Sequence, residues 1–590
     1  MDVFRFRLGM VFILAAISPV SLTPIFAQNF ERYAPRDFSL PRNLPSDSPD
    51  LPQEDLPDVS GDDRVLVEAL DAVVIVDSAK KIQAGDRIDE LTGIHYDFEA
   101  KDSIVFQCGI RHLIEQQIGE PITLRRLNTL ARDIVQQYRR FKMPIVDVQI
   151  PEQRITGGTV YFVVVETRID QVRVQPGCYF DCCEVARWIQ CTRQGDRVFE
   201  PALENDLFWM NQNPFRRVSV DFQKGAQDGT TDVIYRVNDI RPIRGYLGVD
   251  DSGVETLNLG RFFTGLSYGN VFGKGGTLGY QYTTDEDFAL LKAHSASFTQ
   301  PINRCWSIQA FGSWAGVTPS LGGGLNQEGE SWQLGASVVR HLERTRYQMT
   351  NINIGVDFKS TNNNLEFSGQ TVAASNADLF QLRFGIDRLV RGCCPDEYVF
   401  AQLDAFVGPG GGMTGSHSAA AFDTIRPGAT PDYVYGRLLF EDSRVIRRRL
   451  QLVSRFAAQA ASERLLFSET LGLGGYDSLR GFDQRAYNAD HGWRANFELG
   501  PCTYRWGCDG DRRTLRVYSF FDLGNGYLDD PLPGEDSSTF AASTGIGARF
   551  QLSDRLVCRF DYGFGVEDLD GIVRGDRAHL GLTWIPGPRP

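Results

Sequence analysis

Histidine and methionine are scarce in this chain, at 7 and 6 of 590 residues. No His-Glu-x-x-His and no Gly-x-Ser-x-Gly occurs, so neither a zinc-hydrolase helix nor a serine nucleophile elbow is on offer, and no enzyme is expected. The stretch Gly269 to Lys274 is one residue short of a phosphate loop, and Gly275 stands where Ser or Thr would bind magnesium; it reads as a hairpin turn. No cofactor and no metal site is expected. Beyond the N-terminus there is no apolar run of about 18 residues, which excludes a helical membrane protein. A basic excess is also missing. The net charge of -14 argues against nucleic acid as a partner. What the chain has in abundance is glycine (59), phenylalanine (39) and tyrosine (20). Many strands, tight turns and no hydropathy signal together fit a membrane β-barrel.

The N-terminus reads as an export signal over residues 1–27. Arg5 and Arg7 precede the apolar stretch Leu8 to Val20, and Ile25-Phe26-Ala27 offers a cleavage site. Residues 28–63 form a linker with 6 prolines, 9 acidic residues and 3 arginines. Its prolines forbid a continuous helix, so it reads as an extended acidic spacer or as a segment that threads a basic pore.

Two β-α-α-β-β units follow, at 65–168 and 169–240. In the first, Ala69 to Asp77 carries the β-rich run Val73 to Val76. Helices are expected over Ile104 to Gln117 and Thr123 to Phe141, where Leu124, Leu127, Leu130, Ile134 and Tyr138 share one stripe, and strands over Pro144 to Ile150 and Gly158 to Val165. The second repeats the order with Ile169 to Val174, Glu184 to Gln190, Pro201 to Asn211, Val218 to Gln223 and Thr231 to Val237. This repeat resembles the polypeptide-transport-associated (POTRA) domain. Leu207 to Arg216, with Asn213, Pro214 and Arg216, resembles the helix-to-strand signature of the second copy in two-partner secretion transporters. The physical use of such a unit is peptide capture on an exposed sheet edge; the plainer alternative is a rigid spacer.

From 241 to 586 the pattern is strands alone. In 540 to 552 the residues Phe540, Ala542, Thr544, Ile546 and Phe550 share one face, and in 556 to 566 Leu556, Cys558, Phe560, Tyr562 and Phe564 do. In 578 to 584, Leu580, Leu582 and Trp584 share theirs. The opposite faces carry Arg, Asp and Gly, a lipid-out, water-in alternation. Sixteen strands are expected, with short turns such as Gly273 to Gly276 on the periplasmic side. Longer loops, among them Ser320 to Glu328, Thr361 to Thr371, Gly408 to Pro431 and Ser468 to Asp490, face outward. The fold class is therefore mainly β: a 16-stranded transmembrane barrel preceded by two periplasmic α+β POTRA domains. The final strand, Ala578 to Trp584, is expected to pair with the first, near Ile243 to Val249.

The loop segment Leu479-Arg480-Gly481-Phe482 resembles the [V/L]-R-G-F motif of the BamA-like superfamily. Phe520-Phe521-Asp522-Leu523-Gly524 resembles its F-x-D-x-G strand motif. The resemblance implies that the loop folds into the barrel and that Arg480 pairs with Asp522. Alternation independently turns Arg516, Tyr518, Phe520, Asp522 and Gly524 to the lumen. It does the same for Arg494, Asn496 and Glu498, so Glu498 is expected nearby. Gly474, Gly475 and Gly481 would let the loop turn tightly.

The 11 cysteines of an exported chain read as disulfide partners before zinc ligands. Connectivity does not follow from sequence, and the odd count leaves at least one thiol free or paired between chains. Cys502 and Cys508, bracketing a periplasmic turn, are the expected bonded pair. Taken together, the motifs resemble a two-partner secretion outer-membrane transporter of the haemolysin/filamentous-haemagglutinin type. The resemblance implies translocation of a partner exoprotein to the cell surface without nucleotide hydrolysis. The implied partner is a secreted β-helical protein with an N-terminal secretion domain; outer-membrane lipid surrounds the barrel. The alternatives are an outer-membrane assembly or insertion factor and, from another class, a passive pore or receptor.

Overall fold

The computed structural model describes residues 59–586, apart from 60, 83–90, 154, 156, 255–256, 320–324, 346, 368–369, 393, 395, 508–512, 553–554 and 568–574. The leader 1–27, most of the linker 28–63, Cys393, Cys508 and the last four residues lie outside the described residues. One compact unit holds the two repeats. The other holds the barrel together with Asn213–Phe215.

In the first repeat, helix Leu124–Arg140 buries Leu127, Leu130, Ala131, Ile134, Val135 and Tyr138 along one stripe. The Thr123 side chain caps its start by accepting from the Arg126 N–H. The stretch 104–117 is not one helix: a single 3-10 turn, Ile104–Phe106, precedes helix Cys108–Glu115. The sheet runs Gly93–Asp97, Ala72–Val76, Thr159–Glu166, Val146–Gln149 in spatial order. Strand Gly93–Asp97 lies parallel to Ala72–Val76. The sequence reading missed it, because its side chains are only half-buried and show no strong alternation.

The second repeat has strand Arg168–Gln175, helices Cys182–Ala186 and Glu200–Met210, and strands Arg216–Lys224 and Thr230–Asp239. Trp188, just past the first of these helices, stacks on Trp209 of the second, with ring centroids 5.9 Å apart. The buried Asp206 carboxylate accepts the N–H groups of Gln190, Cys191 and Thr192 at 3.1, 3.0 and 2.8 Å. The two repeats are joined by Arg197. It donates to both Asp102 carboxylate oxygens at 2.9 and 3.0 Å and pairs with Glu166 at 2.8 Å. That hydrogen bonding holds the Asp102 carboxyl below its ordinary range.

The barrel is one closed antiparallel sheet. Seventeen hydrogen-bonded segments make sixteen strands, because Tyr504–Trp506 continues His491–Pro501 against the same neighbour, Arg513–Tyr527. Closure pairs Leu247 with Trp584, Gly248 with Thr583, Val249 with Leu582 and Asp250 with Gly581. Outside, Leu334, Ile354, Leu403, Ile546 and Leu580 are exposed, while Gln333, Asp357, Gln381 and Arg437 are buried inside. A water-soluble sheet would not place its aliphatic side chains this way; a barrel in lipid does.

Three neighbouring strands, Leu325–Arg344, Gln348–Phe367 and Gln370–Arg391, run 20, 20 and 22 residues. A membrane crossing needs only about 9–11. The stretch Thr361 to Thr371, read from sequence as a loop, is therefore mostly ladder, and Ser320 to Glu328 gives way to strand at Leu325. Beyond the bilayer no lipid face imposes alternation, so a ladder there leaves no hydropathy signature. The loop 410–431 contains a short helix, Ala419–Ile425.

Candidate functional site

Loop 462–490 leaves strand Leu450–Ala461 and returns into His491–Pro501. It is built as a hairpin, Leu471–Leu473 against Tyr487–Ala489. Gly474 and Gly475, at φ 103° and 104°, make the reversal in a region closed to most side chains. Gly481 does a different job from the one read in the sequence. It is absent from the positive-φ positions, but a Cβ there would lie 2.6 Å from the Phe564 carbonyl carbon and 2.7 Å from the Gly565 nitrogen. Glycine allows the loop tip to rest on the barrel wall. The tip is held by a small apolar cluster of Leu471, Leu473, Leu479, Phe482 and Ala541.

Arg480 sits at this tip and is 1 % exposed. Its Nε and Nη2 donate to the two Asp522 oxygens at 2.8 and 2.7 Å, and its backbone N–H donates to the same carboxylate at 3.1 Å. Nη1 donates to Glu498 at 2.8 Å and to Asp561 at 3.3 Å. The guanidinium lies over the Phe520 ring, 3.7 Å from its centroid. A planar five-donor fork fits this set of acceptors; an ammonium does not.

Thus Leu479, Arg480, Gly481, Phe482, Phe520, Asp522 and Glu498 are brought together. Gly524 stands near the hairpin, where an added Cβ would meet Leu473 Cδ2 at 3.2 Å. Residues not chosen from the sequence complete the cluster. Arg455 and Arg516 also donate to Glu498, at 2.7 and 2.8 Å. Arg549 and the Tyr518 hydroxyl donate to Asp561 at 2.8 and 2.7 Å. A ring nitrogen of His579 lies 3.1 Å from the Arg480 carbonyl and the other 2.7 Å from Asp251. Alternation placed Asp561 and Arg549 on the non-lipid face, which was the available signal. Four arginines thus face three carboxylates in a buried space.

Asn213, grouped with the barrel, donates from Nδ2 to the Gly269 and Gly275 carbonyls at 2.6 and 3.1 Å. Its Oδ1 accepts the Phe215 N–H at 3.0 Å across Pro214. Asn213 thereby staples the chain to the turn between the second and third strands of the barrel. Replacing it with Ala strands two buried carbonyls, at about 1–3 kcal/mol. Asn213→Ala should lower the temperature at which the barrel loses its compact electrophoretic form and speed amide exchange at 269–276; unchanged exchange there would refute the staple. Arg216 turns the other way, donating to the Met210 carbonyl at 2.7 Å and pairing with Glu184 in the second repeat. Burial pulls Arg216 below the usual arginine range.

Cys502 is half-buried. The expected Cys502–Cys508 bond involves Cys508, which lies outside the described residues. Among the described residues one tight group of metal-donor side chains occurs, Asp181, Cys182 and Cys183. The Asp181 carboxylate is already used to cap the Cys183 N–H at 2.6 Å.

Residues 229–550 match the model of the haemolysin secretion/activation protein family ShlB/FhaC/HecB, and residues 92–167 match the ShlB-type POTRA domain. The chain is 22% identical over 396 residues to the heme/hemopexin transporter protein HuxB of Haemophilus influenzae, covering 65% of this chain and 67% of that protein. Its fold is similar to CdiB from Escherichia coli, with a TM-score of 0.59, 16% identity and coverage of 90% of this chain and 94% of that one. It is also similar to BamA from Haemophilus ducreyi lacking POTRA domains 1–3, with a TM-score of 0.52, 13% identity and coverage of 80% and 96%. Members of the matched family are translocases rather than enzymes and work without ATP. A closed barrel with lipid outside and charge inside, preceded by a POTRA region, places the chain in the outer membrane with its repeats in the periplasm. The chain belongs to the haemolysin secretion/activation family ShlB/FhaC/HecB and is an outer-membrane translocation protein.

Proposed function

We propose that this transporter exports one secreted exoprotein, β-helical when folded and carrying an N-terminal secretion domain, and that loop 462–490 gates its path. The observation that carries the reading is Arg480. A loop tip held by one buried arginine to carboxylates on three separate strands is a closed gate with a defined release point. A permanently open pore has no need of such a fastening. The repeats supply capture surfaces. Val146–Gln149 and Gly93–Asp97 are the edges of the first sheet, and Arg168–Gln175 and Arg216–Lys224 those of the second. An extended chain adds to such an edge through backbone hydrogen bonds, before it has folded. Folding outside the cell then makes passage one-way.

The test is co-expression with a candidate exoprotein, such as a large exported β-helix encoded beside this gene. Its release into the medium should depend on this transporter and on its own N-terminal domain. Photo-crosslinkers placed along Val146–Gln149 or Arg216–Lys224 should trap that domain. Normal release without this chain, together with failed insertion of other barrels, would instead assign it to outer-membrane assembly.

A further inference from the structure

We propose that Glu469 is a second anchor of loop 462–490, on strands other than those that hold Arg480, and that releasing either anchor raises the open fraction of the pore; this rests on reading the loop as the gate. Glu469 is fully buried. Its Oε1 accepts Lys359 Nζ at 2.6 Å, and its Oε2 accepts the Tyr435 hydroxyl at 2.6 Å and Gln381 Nε2 at 3.2 Å. Its backbone carbonyl accepts Arg437 Nη2 at 2.8 Å and Gln459 Nε2 at 3.0 Å. Tyr433 donates to Gln381 at 3.0 Å and so fixes that amide.

The positions of the partners give the inference its force. Lys359 and Gln381 belong to the adjacent strands Gln348–Phe367 and Gln370–Arg391, with Tyr435 and Arg437 on Asp432–Ile446. The partners of Arg480 belong to His491–Pro501, Arg513–Tyr527 and Leu556–Glu567, and His579 to the closing strand. Counted from Ile243–Asp250, the partners of Glu469 lie on the seventh, eighth, tenth and eleventh of the sixteen strands and those of Arg480 on the twelfth, thirteenth, fifteenth and sixteenth, so the two sets share no strand. The loop is therefore fastened to two separate groups of strands, with Glu469 on its entering limb and Arg480 at its tip. Glu469 is a positioning residue, since it acts through the loop. Lys359 is 4 % exposed at its side chain. A charge this deep is tolerated because a carboxylate meets it, and removing either partner strands the other.

That asymmetry gives the test. Purified full-length protein in planar lipid bilayers reports the open fraction, and trypsin added to proteoliposomes reports exposure of Arg485 in the loop. Lys359→Met leaves Glu469 buried without its cation, so the released loop, with Glu469 in water, becomes favoured. Open fraction and cleavage should each rise by about tenfold or more. Adding Glu469→Gln removes the stranded charge and should return both readouts toward the parent, which mere loss of packing would not do. Lys359→Arg should behave as the parent, and Lys359→Gln serves in place of Lys359→Met if that variant fails to insert. Combining Lys359→Met with Arg480→Ala should exceed either alone. Parental conductance and cleavage in Lys359→Met, or no reversal on adding Glu469→Gln, would overturn the second anchor. A closed pore in Arg480→Ala alone would instead overturn the gate reading, whatever Lys359→Met does.

Discussion

Deleting residues 578–590 is expected to abolish barrel assembly, while deleting only 587–590 should leave it intact. The final strand, Asp576–Trp584, is hydrogen-bonded on both sides, to Leu556–Glu567 and to Ile243–Asp250. Removing it exposes two strand edges to hydrocarbon. Each unpaired backbone group there costs several kcal/mol, and among the described residues no loop or helix pairs with these edges. The outward Leu580, Leu582 and Trp584, 56, 39 and 45% exposed, complete the lipid-facing band at the seam. Beyond Trp584, the Ile585 N–H still donates to the Arg555 carbonyl at 2.7 Å, so the ladder ends before the shorter deletion begins. The check is heat-modifiable migration and protease resistance of membrane fractions. A resistant barrel formed without residues 578–590 would show that closure does not need this strand.

The second large effect is at Arg480. The three hydrogen bonds described at the Asp522 carboxylate all come from Arg480. Glu498 keeps Arg455 and Arg516, and Asp561 keeps Arg549 and Tyr518. Arg480→Ala therefore strands one carboxylate, Asp522, at a cost on the order of 3–5 kcal/mol to the loop's seating. Insertion should survive, because the lipid face is untouched, while secretion should fall by about tenfold or more. Asp522→Ala on that background removes the stranded charge. The melting of the compact form should recover and secretion should not, a non-additivity read by a double-mutant cycle. Arg480→Lys should also fail in secretion, since a point charge cannot serve the acceptors that the planar fork reaches. Wild-type secretion in Arg480→Ala would detach the cluster from transport.

Period-two alternation in the last strands made the lumen side of Arg516, Tyr518, Phe520 and Asp522 legible, because lipid and water impose opposite demands on successive residues. The same physics explains what was not legible. Gly93–Asp97 pairs in parallel with a strand across a long connection, and its half-burial left little pattern to find. The long extracellular ladders lack a lipid face, so Thr361 to Thr371 looked like loop.

For the site, the motif residues supplied Arg480 and Asp522 and alternation supplied Glu498, but not the arrangement around them. Arg480 meets Glu498 at a separation of 18 residues, Asp522 at 42 and Asp561 at 81. The Lys359–Glu469 pair joins residues 110 apart. A side chain's face is set by its immediate neighbours, and the sequence carries that information. Which lumenal charges meet is set by closure of the sheet and by how far the loop descends. Closure depends on backbone hydrogen bonds that are indifferent to side-chain identity, and the loop's seat depends on side chains that are far apart in the chain. The chain's composition and alternation thus determined a lipid-facing barrel with charge inside, and only the closed tertiary structure decided which lumenal charges receive Arg480 and Glu469 of one loop.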